Sequence, residues 1–424
     1  MPNVTNPTVS CNRFASLTSQ EKQTLKIQLN ISEESLLTMI NTYLRKNCPQ
    51  ESDIYEKIQK SLLLYIPIIL VVIGTFGNIF SFIVLRQKAM MTLSTYFYLA
   101  ALSLADTVVL YFGLFRLWIW QLTGMDVQHY ADWSCKLVAV IGYSASDFSV
   151  WLIIAVTVER YIVVCHPLKA SELCNIPRAK IVMGALFMLL LTINLHFFWT
   201  VELSTSESDI PKCDGGPQYK HLITEIWPWV DAVIYSFLPF GTILIMNCII
   251  IRQVIHARRS REELQNTSLK ERRRTTQESS IKLTIMLLTV SFTFVLTTLP
   301  INVFMIAKAF FQSYSEQDID EKGRREVIHT SAKLLMYLNH SINFFLYCAT
   351  GQKFRHQVKR ILCRRSKTFF SNFTQIRNGR ESMVWSSTKY TNCPSKIVAD
   401  TTDMSEMEMH RLHQTRTNQQ HPYA

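Results

Sequence analysis

Charged residues are scarce in this chain of 424 residues: only 18% are Asp, Glu, Lys or Arg, whereas 48% are hydrophobic. A soluble chain with one compact core does not need so large an apolar share. The histidines are scattered, and no Cys/His metal spacing or catalytic constellation occurs, so we expect no enzyme. No internal repeat and no pair of broken helices relates the two halves, which argues against a transporter.

The chain does contain seven apolar stretches, called spans one to seven below. Each is near the roughly twenty residues that cross the hydrocarbon of a bilayer. Only helices and closed barrels satisfy their backbone in lipid, and these stretches lack the alternation of barrel strands. We therefore predict an all-α fold, a seven-transmembrane-helix bundle with a short amphipathic eighth helix. The spans are 62–85, 95–117, 134–158, 180–201, 226–251, 281–307 and 331–350.

Lysine and arginine predict the orientation of these spans. The connections after spans one, three and five and the segment after span seven carry 22 of them, against 6 in the opposite connections. By the positive-inside rule, the N-terminus is extracellular and the C-terminus cytoplasmic at the plasma membrane. The formal charge of +12 is mostly this asymmetry, so no nucleic-acid partner is expected. The predicted domains are an extracellular tail (1–60), the seven-span domain (61–351), a membrane-surface helix (352–365) and a disordered cytoplasmic tail (366–424).

The ten cysteines are divided between two compartments. Cys135, at the outer end of span three, and Cys213, after span four, both lie outside, where disulfides form, and a bridge would pin that loop over the bundle mouth. Cys11 and Cys48 form another outside pair, and the sequence leaves their pairing open. Cys363 should be reduced, and it could carry a palmitoyl group or stay a plain thiol.

Two further motifs lie near the membrane boundaries. Asn3 and Asn30 begin glycosylation sequons, consistent with an extracellular tail. Glu159-Arg160-Tyr161 ends span three, where an arginine beside an acid is costly to place. The arginine could simply snorkel to the headgroups, but its position among the seven spans favours a switch.

Taken in order, the motifs of residues 60–365 resemble those of rhodopsin-like (class A) G-protein-coupled receptors. A narrower resemblance, to invertebrate neuropeptide receptors of the FMRFamide-receptor-like group, rests on Asn247 and on residues 338–348. The motifs are Gly77-Asn78, Leu102 to Asp106, Cys135, Glu159-Arg160-Tyr161, Pro167-Leu168, Pro239, Phe294, Pro300, Asn343 to Tyr347 and Phe354-Arg355.

The resemblance implies a receptor that activates heterotrimeric G proteins through outward movement of span six. Arg160 paired with Glu159 would hold the inner face closed, and Leu168 would pack into an apolar groove of the G protein. Tyr161 and Tyr347 are predicted to take part in the same coupling to the G protein. Serines and threonines of the cytoplasmic tail are candidate phosphorylation sites for arrestin.

A polar set in the middle of the bundle surrounds Asp106, which would cost about 2.5–3.5 kcal/mol on insertion scales if unpaired. Asn339, Asn343 and Tyr347 recur every four residues and so share one face of span seven. With Asn78 and Ser149 they can form an oxygen-rich nest that resembles the family's sodium site, with Asp106 and Ser149 as metal ligands. The alternative is an ion-free cluster that joins the helices by hydrogen bonds. No other cofactor is expected.

Two ligand classes are disfavoured by single residues. Aminergic receptors resemble one another in an aspartate at the position of Gly142, and an opsin would need a lysine at Tyr337. Charges of both signs remain in the outer halves of the spans. We predict that Asp147 and Asp231 receive a basic group of a peptide, while Arg116 or Lys333 contacts its carbonyl or acidic groups, with Tyr337 beside them. The alternative is internal charge pairing without a ligand role.

Several positions depart from the family pattern, and three of them bear on activation. Thr298 replaces a tryptophan, Phe344 a proline and Asn247 a tyrosine. These changes leave the fold intact, but they put in doubt any activation mechanism that is transferred in detail from other members of the family. A constitutively active or ligand-independent seven-helix receptor is therefore the competing prediction, ahead of a transporter or a scaffold.

Overall fold

The computed structural model describes residues 32, 51–205, 211–262, 271–311 and 319–363, and the predicted spans lie in helical structure apart from residues 195, 196 and 201 of span four. Six helical stretches are long and apolar enough to cross a membrane among these residues. The α-helices of the spans are Glu51–Leu85 for one, Ser94–Val109 and Arg116–Thr123 for two, Asp132–Cys165 for three, Ile176–Asn194 for four, Trp227–Asp231 and Leu238–Glu262 for five, Glu271–Phe311 for six and Ile319–Thr350 for seven. Span seven is absent from the six because polar side chains, His340 and Asn343 among them, interrupt its apolar run.

Several helices extend beyond the predicted spans. Span one belongs to a helix that begins at Glu51, and span seven to one that begins at Ile319. Hydropathy marks the part of a helix that contacts lipid, whereas backbone hydrogen bonding continues into the polar segments on either side. A short helix, Pro167–Leu173, follows span three, and another, Phe197–Thr200, lies near the end of span four.

Spans two and five are interrupted by π-helical turns. They are Leu110–Phe115 in span two and Leu222–Ile226 and Ala232–Phe237 in span five. A π-turn replaces the i→i+4 hydrogen bond by i→i+5 and so accommodates an extra residue within a helix. The side chains beyond each turn therefore face a different direction from the one that a continuous α-helix would give them.

A β-hairpin, which the all-α prediction did not include, follows span four. Strand β1 (Val201–Thr205) pairs antiparallel with β2 (Pro211–Gly215), and Leu203 lies opposite Cys213. Cys213 is disulfide-bonded to Cys135, with a Cα–Cα distance of 5.5 Å, which confirms the predicted bridge. The bridge attaches β2 to the outer end of span three.

Spans one, two and seven share one apolar core that includes Leu70, Leu110 and Leu334. Gly74 of span one lies directly against span seven. A Cβ atom at this position would be 3.1 Å from the Cα of Ser341 and would also meet the Cδ1 of Leu110. Only a residue without a side chain lets these helices approach so closely.

We therefore expect Gly74→Ala to destabilise the protein by about 1–3 kcal/mol, the usual cost of overpacking a core. Thermal unfolding of the purified protein measures this loss. Gly184→Ala in span four is the matched control, because a Cβ there would have no neighbour within 4 Å. Equal melting temperatures for both variants would contradict the close contact.

A second compact unit begins at Tyr347. It contains the end of the span-seven helix and a further helix at 352–363. The Tyr347 and Phe354 rings lie 5.4 Å apart, and Nη1 of Arg355 donates to the carbonyls of Cys348 (2.9 Å) and Ala349 (2.7 Å). The predictions for Asn3, Asn30, Cys11, Cys48 and the tail 366–424 lie outside the described residues.

Candidate functional site

A cavity of about 340 Å³ lies between the outer halves of spans two, three, five, six and seven. Its walls combine apolar groups with polar rings, such as Tyr143 and Tyr235. Pockets of this kind, mostly apolar with a few convergent polar groups, commonly bind ligands. The predicted ligand contacts that line the cavity are Arg116, Asp231, Lys333 and Tyr337.

Arg116 is already engaged by a loop at the cavity rim. Its Nη1 donates to both carboxylate oxygens of Asp126, at 2.8 and 3.0 Å, and to the side-chain carbonyl of Gln128. The Gln128 amide also lies 3.1 Å from the Sγ of Cys213, so this loop contacts the disulfide. A guanidinium held by a carboxylate in this way is a fixed structural element, which leaves Lys333 as the more available cation.

Asp231 and Lys333 have no hydrogen-bond or ion-pair partner within the described parts of the chain. Both side chains are half-buried and line the same cavity from spans five and seven. Partly buried charges are costly unless they are paired. An acid and a base without partners in one cavity are therefore suited to a ligand that carries complementary groups.

Asp147 does not line this cavity. Its side chain is 2% exposed and accepts a hydrogen bond of 2.8 Å from Nδ2 of Asn194 in span four. Its neighbour Ser146 lines the cavity in its place. The contact thus joins spans three and four, and a ligand role for Asp147 would have to be indirect.

Asp106 lies at the centre of the buried polar set and is 0% exposed. Its Oδ1 accepts from Ser149 Oγ (2.6 Å) and lies 2.7 Å from Nδ1 of His340, while its Oδ2 accepts from Asn343 Nδ2 (2.7 Å). Asn78 donates to the main-chain carbonyl of His340 at 3.0 Å. The predicted Ser149 and Asn343 therefore contact Asp106, and His340 is a further partner that the sequence analysis missed.

The fit of a sodium ion to this set is poor. The side-chain carbonyls of Asn78, Asn339 and Asn343 have no hydrogen-bond partner among the described residues and would suit a hard cation. Both carboxylate oxygens of Asp106, however, are already engaged, and imidazole is a ligand for transition metals and not for sodium. Sodium binding stays a prediction, and His340 is its structural competitor.

The C-terminal end of span three contacts span two. Glu159 accepts from the hydroxyl of Ser94 and, at 2.5 Å, from that of Thr95. Arg160 donates to Thr95 and lies 3.6 Å from Glu159, measured between Nη2 and Oε2. All four residues are buried. Ser94 and Thr95, which the sequence analysis missed, thus hold this pair, and the four residues are called the Glu159–Arg160 lock below.

The segment after the lock is exposed. Leu168 is 93% exposed, and the hydroxyl of Tyr161 lies 3.4 Å from Nε2 of His166. Cys174 lies beneath Glu159, with Sγ 3.9 Å from its main-chain carbonyl. Burial raises the pKa of the Cys174 thiol and the Glu159 carboxylate raises it further, while Arg160 opposes the shift, and a raised pKa disfavours the reactive thiolate.

Thr298, Phe344 and Asn247, which depart from the family pattern, all lie within helices. The Thr298 hydroxyl donates to the main-chain carbonyl of Phe294 at 2.7 Å, within span six. Phe344 lies 6.2 Å from Phe80, measured between ring centroids, and so packs against span one. Asn247 is 1% exposed, and neither polar atom of its side chain has a hydrogen-bond partner among the described residues.

Two of the predicted site residues, Tyr347 and Cys363, lie in the second unit. Tyr347 is 1% exposed and packs on Phe354. Cys363 is disulfide-bonded, contrary to the prediction of a reduced thiol, and a sulfur in a disulfide cannot carry a palmitoyl group. Palmitoylation of the reduced form stays a prediction.

The sequence profile of the 7 transmembrane receptor (rhodopsin family) matches residues 77–347. The FMRFamide receptor of Drosophila melanogaster is 33% identical over 300 residues, which cover 67% of this chain and 50% of that protein. The thyrotropin-releasing hormone receptor of Homo sapiens is 26% identical over 322 residues, 70% of this chain and 77% of that protein. The growth hormone secretagogue receptor type 1 of Homo sapiens is 25% identical over 309 residues, 69% and 78% respectively. The match to the fly protein thus spans about half of its length.

Proposed function

This chain belongs to the rhodopsin family of seven-transmembrane receptors, and on that premise we propose that it binds an extracellular peptide and activates a heterotrimeric G protein. It is a multi-pass membrane receptor and not an enzyme, in keeping with its relatives. The fold and the resemblance predicted from the sequence are thereby confirmed. We further propose the plasma membrane as its location, with the N-terminus outside.

A single observation carries the peptide proposal: Asp231 and Lys333 line one cavity as opposite charges without partners in the described chain. A peptide offers both complements, because it has basic side chains as well as carbonyl and carboxylate oxygens. Asp231 would accept hydrogen bonds from a basic group, such as an arginine side chain. Lys333 would donate to an oxygen of the same peptide.

Signalling would begin where the cavity touches span six. Ile301, Asn302 and Met305 line it, directly above Pro300. A peptide that binds an open bundle better than the closed one shifts the population by that difference in affinity. Outward movement of the inner half of span six would free Arg160 for the G protein, and Leu168 would enter an apolar groove of that partner. Arrestin would bind the phosphorylated tail afterwards.

The test begins with second-messenger output from cells that express the full chain, measured with and without a library of amidated neuropeptides. For a peptide that activates, Asp231→Asn and Lys333→Gln should each lower potency about tenfold or more, because a hydrogen bond to a charged group contributes about 1.5–3 kcal/mol. Replacing the basic residue of the peptide should lower its potency at the wild-type receptor. At Asp231→Asn the same replacement should lower potency little further, since both changes remove the same contact.

Glu225→Gln and Lys322→Gln serve as matched controls. Both side chains are exposed and lie outside the cavity wall, so potency should stay unchanged. Unaltered potency in Asp231→Asn would refute the role of the acid. High output without any peptide, and no response to the library, would favour the ligand-independent alternative that Thr298 and Phe344 suggest.

A further inference from the structure

The carboxylate of Asp106 is fully supplied with donors by the protein itself. Ser149 donates an O–H at 2.6 Å and Asn343 an N–H at 2.7 Å, and Nδ1 of His340, which can donate in its Nδ1–H form, lies 2.7 Å from Oδ1. A buried carboxylate needs either a cation or hydrogen-bond donors to offset the loss of water. Three short hydrogen bonds to charged oxygen meet that need without an ion.

His340 is the component that makes this set unlike a sodium site. We propose that its imidazole occupies the position beside Asp106 that a sodium ion would take, so that the core of this receptor binds no sodium. Nδ1 of His340 lies 2.7 Å from Oδ1 of Asp106, and a sodium ion bound to that oxygen would have to displace it. His340 is 0% exposed where it lies, so the displaced imidazole would need another position within the buried bundle.

The backbone holds His340 in this position. It precedes Asn343 by three residues, so both side chains project from one face of the helix toward Asp106. Its carbonyl accepts from Asn78 at 3.0 Å, which links this turn of span seven to span one. Nδ1 can donate to the carboxylate in the neutral Nδ1–H tautomer and in the imidazolium form alike. The exclusion of sodium therefore does not depend on the charge of the ring.

The test measures thermal unfolding of the full-length purified protein in sodium chloride and in choline chloride at equal ionic strength. An ion that binds only the folded state raises the melting temperature. We expect the wild type to melt at the same temperature in both salts. His340→Ser opens space beside Asp106 and should gain a sodium-dependent rise of about 2 °C or more at saturating sodium. Adding Asp106→Asn to His340→Ser should abolish that rise.

His340→Asn is the second variant, in case His340→Ser fails to fold, and it should also gain a response to sodium. His356→Ser, at an exposed histidine of the 352–363 helix, is the matched control and should behave like the wild type. A wild type that is stabilised by sodium, with the effect lost in Asp106→Asn, would overturn the proposal. So would folded His340 variants that remain insensitive to sodium, since the imidazole would then not be what excludes it. The readout requires no ligand and stands apart from the peptide proposal.

Discussion

Replacing Ser94 and Thr95 together by alanine should raise ligand-independent signalling about tenfold or more, because each hydrogen bond to a charged group contributes about 1.5–3 kcal/mol. The two hydroxyls donate to Glu159, and Thr95 also accepts from Arg160. Without them, the pair at the end of span three loses its attachment to span two. The closed arrangement of the inner face then loses stability relative to the open one. Second-messenger output without ligand, normalised to surface expression, measures the change.

Thr107→Ala is the matched control for this variant. Among the described residues its hydroxyl bonds to the carbonyl of Ser103 in its own helix and to no other helix, so its removal breaks no hydrogen bond between described helices. Adding Arg160→Ala to the double variant should return the output to background, since the proposed coupling requires Arg160. A normal baseline in the double variant, at equal expression, would show that the Glu159–Arg160 lock does not restrain signalling.

Loss of the disulfide should cost about 2–5 kcal/mol of stability, the range for a bridge that closes a long loop. Cys135 and Cys213 are 78 residues apart in sequence. The bridge also fixes β2 beside Gln128, which in turn contacts Arg116 at the rim of the cavity. We therefore expect Cys135→Ser to lower the melting temperature and also to lower the response to any activating peptide.

Two comparisons make the disulfide prediction specific. Cys213→Ser and the double variant should match Cys135→Ser, because all three lack the same bond. Cys248→Ser removes an exposed free thiol from span five and should melt like the wild type. Losses that add up in the double variant would mean that the two cysteines act separately, and the bridge would not explain the effect.

The contacts of Asp106 show how much helical periodicity in the sequence predicts about side-chain contacts and where it fails. The spacing of Asn339 and Asn343 predicted a shared face, and Asn343 does contact Asp106. The other contact from span seven comes from His340 and not from Asn339, because residues three apart can share a face as well as residues four apart. Sequence alone does not decide between them, since the choice depends on the rotation of span seven against span two. The presence of a histidine within an apolar span was the available signal.

The cavity shows a similar limit. Asp147 and Asp231 were both predicted to face a ligand, yet only Asp231 lines the cavity. Asp147 turns toward Asn194 instead, and nothing in the periodicity of span three distinguishes a side chain that faces span four from one that faces the cavity. The cysteines' predicted compartment, by contrast, was sufficient for the disulfide, and the length and hydropathy of the apolar stretches were sufficient for the helical spans, since these depend on the bilayer and not on the rotation of each helix.

The π-turns also affect how pocket residues are matched between relatives. Leu110–Phe115 lies between Asp106 and Arg116, and Ala232–Phe237 lies between Asp231 and Pro239. A relative whose helices are α throughout has one residue fewer across each such turn. Counting outward from Asp106 or Pro239 would then assign every residue beyond the turn to the wrong neighbour. Ligand preferences should therefore be transferred between receptors only after a one-residue gap has been placed at each π-turn.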